Sequence, residues 1–252
     1  MAEKNLREKV IDSYHSVIYR DYLEQSPALW TWALRRIERN FREELETLPR
    51  DGRILDLPCG VGYAEHVLLG MGFENVEAVD ASSEQVEDAI VRLKESYGEA
   101  TAVRFYVSDA LEYLEINTGY SAIFMIDFVE HLSKEAVHQI FVATRRALNP
   151  GGLLFLRTPN AESPMFGRFY NDLSHETPFT RSSMKQCLRL SGLDPQRVGF
   201  ERENYVGDRP GFLKRSKRLA HRLGLAGLGR LLGVPAGGFS ENIVCVARKF
   251  GD

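Results

Sequence analysis

Between Arg53 and Asn160 the chain switches repeatedly between two hydrophobic periods. Short runs rich in β-branched and aromatic residues are RILDL (53–57), VEAVD (76–80), VRFYVSD (103–109), YSAIFMID (120–127) and GLLFLRTPN (152–160). They alternate with helical runs, AEHVLLGMG (64–72), SSEQVEDAIVRLKESYG (82–98) and SKEAVHQIFVATRRALN (133–149). Strands joined through helices are crossover-connected, so the sheet they build is mostly parallel and covered by helices on both faces. The expected fold is α/β: a Rossmann-like, mostly parallel seven-stranded sheet. Its last two strands are placed at Phe200–Val206 and Asn242–Lys249. Ser82 and Gln85 read as a capping box, and Thr180 as the N-cap of a helix over 181–192. Residues 4–48 read as helical with a break at Pro27, and form an N-terminal lid. A helical insertion precedes the last strand. The chain is expected to be one domain, 1–252. It divides into a helical cap (1–50), an alternating core (51–160) and a C-terminal region (161–252) with the basic insertion and final strands.

In such sheets ligands bind beyond the carboxyl ends of the strands. Asp56, Asp80, Asp109 and Asp127 each end a predicted strand. The first strand runs into LDLPCGVGY (55–63), where Gly60 and Gly62 permit a tight turn and close approach of backbone to ligand. A dinucleotide loop would carry a third glycine where Glu65 stands, and a carboxylate there disfavours a pyrophosphate. The Gly-Lys-Ser/Thr of a P-loop is absent.

Composition narrows the class. The chain has 252 residues, 44% hydrophobic and 27% charged, and a net charge of −3, with no global signature of nucleic-acid binding. DNA is not an expected partner. The three cysteines, Cys59, Cys187 and Cys245, are scattered and odd in number, which argues against a disulfide framework. No apolar leader run and no membrane-length apolar run is seen, so a cytoplasmic protein is expected.

The pattern Asp56-x-x-x-Gly60-x-Gly62, with Asp80 ending the next strand, resembles the class I S-adenosylmethionine-dependent methyltransferases. Five stretches fall in the family's order: ILDLPCGVG, VEAVDAS, SDA (108–110), IDFVEHL (126–132) and LNPGGLLFLRTPN. The resemblance covers roughly 53–160. It implies S-adenosylmethionine as cofactor, bound by Asp56, Pro58, Gly60, Gly62, Asp80, Ala81, Ser108, Asp109, Ala110 and Asp127. Asp56 would meet the ammonium, Asp80 the ribose diol and Asp109 the adenine amine. Pro58 and Cys59 depart from the family's usual small residues. Cys59 reads as a packed residue rather than a nucleophile, since methyl transfer needs no thiol.

The acceptor is less legible. An alcohol oxygen needs a base or a metal to become nucleophilic. Asp127-x-x-Glu130-His131 followed by a distant His175 resembles metal-dependent O-methyltransferases acting on ubiquinone precursors and on the 3′-terminal ribose of small RNAs. The resemblance implies His175, His131 and Glu130 as catalytic residues. It also implies Asp127, Glu130, His131 and His175 as ligands of Mg²⁺ or Mn²⁺. Against the metal, Glu-His-Leu after strand four is widespread in this superfamily without one. The loop SHETPFT (174–180) is similar to bacterial methyltransferases that modify surface glycans and other sugars. The expectation is therefore methyl transfer to an oxygen of a small-molecule or saccharide acceptor, its hydroxyl activated by His175, with or without a divalent metal. Alternatives are a catechol or quinone precursor, a natural-product hydroxyl, or a catalytically inactive cofactor-binding scaffold. The acidic balance argues against RNA. Tyr14 and Tyr19 are candidate substrate contacts, or else part of an amphipathic helix packed on the sheet. Residues 209–240 carry seven Lys/Arg and no acid. They read as a solvated basic face, a site for a phosphorylated substrate, or a peripheral membrane contact through 209–233.

Overall fold

A computed structural model describes residues 27–99, 102–164, 167–201 and 238–250, with short stretches between 224 and 234. Tyr14, Tyr19 and most of the basic segment 209–240 lie outside the described residues.

The chain enters through helix α1 (Pro27–Leu45) and continues as β1 (Ile54–Asp56), α2 (Tyr63–Gly70), β2 (Val76–Asp80), α3 (Ser83–Tyr97) and β3 (Val103–Val107). Then come α4 (Ala110–Ile116), β4 (Tyr120–Ile126), a 3-10 turn (Val129–His131), α5 (Lys134–Ala147) and β5 (Leu148–Pro159). The short α6 (Gly167–Tyr170), α7 (Arg181–Leu190), β6 (Leu193–Phe200) and β7 (Asn242–Lys249) complete it. The strands form one seven-stranded sheet in the order β3-β2-β1-β4-β5-β7-β6. β1 pairs in parallel with both β2 and β4, whereas β7 runs antiparallel between β5 and β6. The order reverses between β1 and β4, so the loops leaving these strands diverge and open a crevice at their carboxyl ends.

Side-chain alternation fills both faces. Ile123 and Met125 of β4, Leu154 and Leu156 of β5, and Ile243, Cys245 and Ala247 of β7 pack into one core layer. The intervening Ala122, Phe124, Leu153, Phe155, Val244 and Val246 pack into the other. That is the period of two expected of strands covered on both sides. Phe41 of α1 seals the second layer, set edge-on to Phe124 and Phe155 at 6.0 and 5.3 Å between ring centroids. Trp30 packs on Tyr63 at 4.5 Å, and Trp32 lies under the Arg36 guanidinium at 4.1 Å, so this part of the N-terminal segment is packed helix. Local capping follows the sequence: Ser82 accepts from the Gln85 amide, Ser133 from Ala136, and Thr180 forms a reciprocal capping box with Ser183.

One strand differs from the sequence reading. The sixth strand in chain order is β6, Leu193–Phe200, earlier than the expected Phe200–Val206, of which 202–206 lie outside the described residues. LDPQRVGF contains a proline and a glycine and reads poorly as a strand. It is tolerated because β6 is an edge strand and the register shifts between Pro195 and Arg197.

At the amino end of the sheet, β2 buries a charge. Glu77 is 2% exposed. Its carboxylate accepts from Arg53 Nε and Nη2, both at 3.0 Å, from Arg104 Nη2 at 2.7 Å, and from the hydroxyls of Tyr113 (3.0 Å) and Tyr120 (2.6 Å). Burial works against the anion, but these donors outweigh it and hold the acid down at about 2. The folded-state value lies below the ordinary 4.5, so the stabilisation is present above pH 4.5 and is lost as pH falls toward 2. Glu77→Gln is expected to cost about 1–3 kcal/mol at neutral pH, because both arginines are partly exposed and rehydrate. Thermal melts should show Tm lowered at pH 7, with the gap to wild type narrowing below pH 4.

Candidate active site

A cleft of about 440 Å³ opens where β1, β2, β3 and β4 end. Every expected cofactor-side residue except Gly62 lines it, namely Asp56, Pro58, Gly60, Asp80, Ala81, Ser108, Asp109, Ala110 and Asp127. The turn after β1 is built on two left-handed glycines, Gly60 (φ 52) and Gly62 (φ 90). Gly62 is the N-cap of α2, and its carbonyl accepts from Nδ1 of the buried His66 at 2.8 Å. A Cβ on Gly62 would stand 3.0 Å from Leu93 Cδ1 and 3.2 Å from Ala89 Cβ. Glycine is therefore required twice over, by φ and by the close approach of α3. Cys59 is buried, and its thiol is pushed well above its ordinary value by burial and neighbouring carboxylates, which makes it inert.

Asp80 is the hinge of this side. Its Oδ2 accepts from Gly60 N at 3.0 Å and its Oδ1 from Ser82 N at 2.9 Å. Its backbone carbonyl accepts from Ser108 N at 3.0 Å. The carboxylate retains lone pairs toward the cleft after these two bonds, as a diol would require. Asp109 N-caps α4 through Oδ1, which accepts from Leu111 and Glu112. Asp56 is 2% exposed, and its Oδ1 has no hydrogen-bond partner among the described residues. An orphaned carboxylate oxygen in the wall of a cleft fits a cationic ligand group such as an ammonium. Glu65 does not face the cleft. It is fully buried in the first turn of α2, beside Asp56.

The acceptor side is built on the turn after β4. Asp127 is the one described non-glycine residue in the left-handed region, at φ 52. Its carboxylate is gripped in a fork by Arg157 of β5. The sequence reading put Asp127, Glu130, His131 and His175 together around a metal. Among the described residues, the donor atoms that converge, within 4.8 Å of one another, belong to Glu130, His131 and His175 only. Asp127 is drawn off because the chain leaves β4 left-handed and then makes a three-residue 3-10 turn. The i, i+3 adjacency of a continuous helix does not form.

Two loops lock the histidines. The Glu130 carbonyl accepts from Glu176 N (2.7 Å) and Thr177 N (3.0 Å), which fastens the loop after α6 to the 3-10 turn. His131 Nδ1 lies 2.8 Å from Ser174 Oγ, and that hydroxyl donates to Asp172 Oδ1 at 2.5 Å. A hydroxyl has one proton, so His131 must donate from Nδ1, and its Nε2 carries the lone pair. His175 Nδ1 lies 2.8 Å from the Phe169 carbonyl, which only accepts, so in the neutral ring Nε2 again carries the lone pair. The two rings stand edge to face at 4.6 Å. Burial, and then the neighbouring His175, push His131 down to about 4, so it is neutral at physiological pH. Glu130 is 1% exposed, accepts from Thr158 Oγ1 at 2.9 Å, and is pushed well above the usual carboxylate range by burial. Among the described residues, His131 and Ser174 line the cleft, while His175 and Glu130 stand outside its lining. The sequence reading missed Asp172, Ser174 and Arg157. The signals were present: Asp-x-Ser-His, which favours a side-chain turn onto Ser174 N, and a lone arginine inside the apolar strand LLFLRTP.

This fold and cradle are those of a class I S-adenosylmethionine-dependent methyltransferase. The family model described as "Methyltransferase domain" matches residues 29–198, and the chain belongs to that family. No match was found among curated proteins. Similar solved structures include a SAM-dependent methyltransferase from Archaeoglobus fulgidus, at TM-score 0.63 and 19% identity, over 86% of this chain and 94% of that one. Magnesium protoporphyrin IX methyltransferase from Synechocystis PCC 6803 with bound SAH has TM-score 0.65 at 13% identity, over 96% and 99% of the two chains. The 1,6-didemethyltoxoflavin-N1-methyltransferase of Burkholderia thailandensis has TM-score 0.62 at 18% identity, over 98% and 88%. No helix among the described residues is long and apolar enough to cross a membrane.

Gly62→Ala is expected to lower Tm and to weaken S-adenosylhomocysteine binding by about tenfold or more. The left-handed φ costs about 1–2 kcal/mol, and the packing of α3 on the turn must give way as well. Calorimetric titration beside a thermal melt measures both effects.

Proposed function

We propose that the protein transfers the sulfonium methyl of S-adenosylmethionine to a hydroxyl oxygen of a small-molecule or saccharide acceptor. The observation that carries this reading is the chain His131–Ser174–Asp172 at the cleft wall. An amine acceptor brings its own lone pair, whereas an alcohol needs its proton taken as the oxygen attacks. A neutral imidazole whose Nδ1–H is fixed through Ser174 to a carboxylate presents Nε2 for that proton. In this geometry His131 is the residue that meets the acceptor, and His175, at its edge, holds the ring in place. The cofactor supplies an electrophilic methyl. Asp56, Asp80 and the Gly60–Gly62 turn hold it, and the dry walls of the cleft favour dispersal of charge as the methyl moves. The exposed Tyr170 and Leu173 flank the same loop and offer apolar surface to a sugar ring. The fold alone does not select the acceptor atom, since the similar structures include an N1-methyltransferase.

A second reading rests on the convergence of Glu130, His131 and His175. One carboxylate and two imidazoles with fixed tautomers suit a divalent cation. A bound ion would lower the pKa of the acceptor hydroxyl.

A panel of sugar and phenol acceptors, screened by mass spectrometry for the gain of one methyl, tests the reaction. His131→Ala is expected to lower kcat by about 10²–10⁴-fold while cofactor binding persists. Methylation confined to amines would overturn the oxygen reading. Full turnover in excess EDTA means the histidines act without a metal. Loss in EDTA, restored by Mg²⁺ or Mn²⁺, assigns the ion to Glu130, His131 and His175.

A further inference from the structure

Beneath the glycine turn lie two buried carboxyl groups with unpartnered oxygens. Glu65 is 0% exposed and Asp56 is 2% exposed. Neither oxygen of Glu65, nor Oδ1 of Asp56, has a hydrogen-bond partner among the described residues. The ionisable groups that act on the pair are each other, Asp80 from β2, and Cys59 from the turn, whose thiol stays protonated. No basic side chain stands among them. Two buried carboxylates side by side, with a third nearby and no cation, cannot all be ionised cheaply. One proton held between Asp56 and Glu65 removes the repulsion and supplies the missing donor. Asp56 forms part of the cleft wall, whereas Glu65 stands outside it.

We propose that Glu65 and Asp56 share one proton in the empty enzyme, and that the cofactor's ammonium displaces it, so that cofactor binding releases a proton. Glu65 is then a positioning residue: it touches no ligand, but sets the charge on the carboxyl that does. The inference rests on the cofactor reading above and is independent of the acceptor. Burial raises both groups, and the titration of the shared proton is a property of the pair. The sign follows from linkage. The complex favours the ionised pair, so affinity rises with pH until the empty pair is itself ionised. While the empty pair holds its proton, affinity rises by up to about tenfold per pH unit.

The test is isothermal titration calorimetry with S-adenosylhomocysteine, which carries the same ammonium and does not turn over. Titrations run at pH 6, 7 and 8 in two buffers of different ionisation enthalpy, which gives the number of protons exchanged. Wild type is expected to release up to one proton per ligand bound, with affinity rising with pH wherever the proton is released. Glu65→Gln keeps the shape and gives Asp56 an amide donor. It is expected to bind with no proton release and a flat pH profile. A merely structural role for Glu65 would leave the proton count unchanged. Wild-type binding without proton exchange overturns the inference and leaves the cofactor reading standing. Absence of binding at every pH overturns both.

Discussion

The Asp80 carboxylate is the point on which the site turns. It sits at the last position of a fully buried strand, and the amides of Gly60 and Ser82 close on it from two different loops. A third loop joins through the Asp80 carbonyl and Ser108 N. Each of these amides would otherwise be an unpaired donor near the cleft, so the cradle's walls are set by one residue's bonding capacity. Burial raises this acid and the amides oppose the shift. The same bonds that hold the turn therefore help hold the charge.

The opposite wall depends on a second set of charges. Arg157 bridges from Asp127 toward Glu201, which also takes Arg36 of α1 and Asn242 at the start of β7. Glu201 is held below the usual carboxylate range by these partners despite its burial. The network ties the end of β4, the middle of the sheet and α1 into one block. The left-handed Asp127 is stable because the arginine fork fixes it, and that conformation starts the turn that delivers Glu130 and His131. Strain at one residue is exchanged for placement of two others.

What was legible depended on the range of the determining contacts. The core strands between 53 and 160 were readable because alternation, length and glycine punctuation are local. The caps at Ser82 and Thr180 were readable because a hydroxyl meets an amide three residues on. β6 was missed because Pro195 and Gly199 are poor local strand formers, accepted only because β7 supplies a partner on one side. Asp127 was read as part of the histidine cluster on helical spacing, and Arg157, thirty residues away, takes it elsewhere. Glu65 was read as a carboxylate in the first turn of α2 that disfavours a pyrophosphate. The turn is where it was expected, and its burial against Asp56 was not legible.

Local pattern along the chain specified the α/β class, the crevice at the carboxyl ends of β1 and β4, and the aspartates and Gly60 that line it. Those follow from periodicity and backbone freedom, which each segment carries with it. Tertiary structure alone decided which polar groups meet: Ser174 and Asp172 behind His131, Arg157 on Asp127, Glu65 against Asp56. Side-chain charge and tautomer are set by neighbours brought together from distant segments, and no spacing along the chain records that.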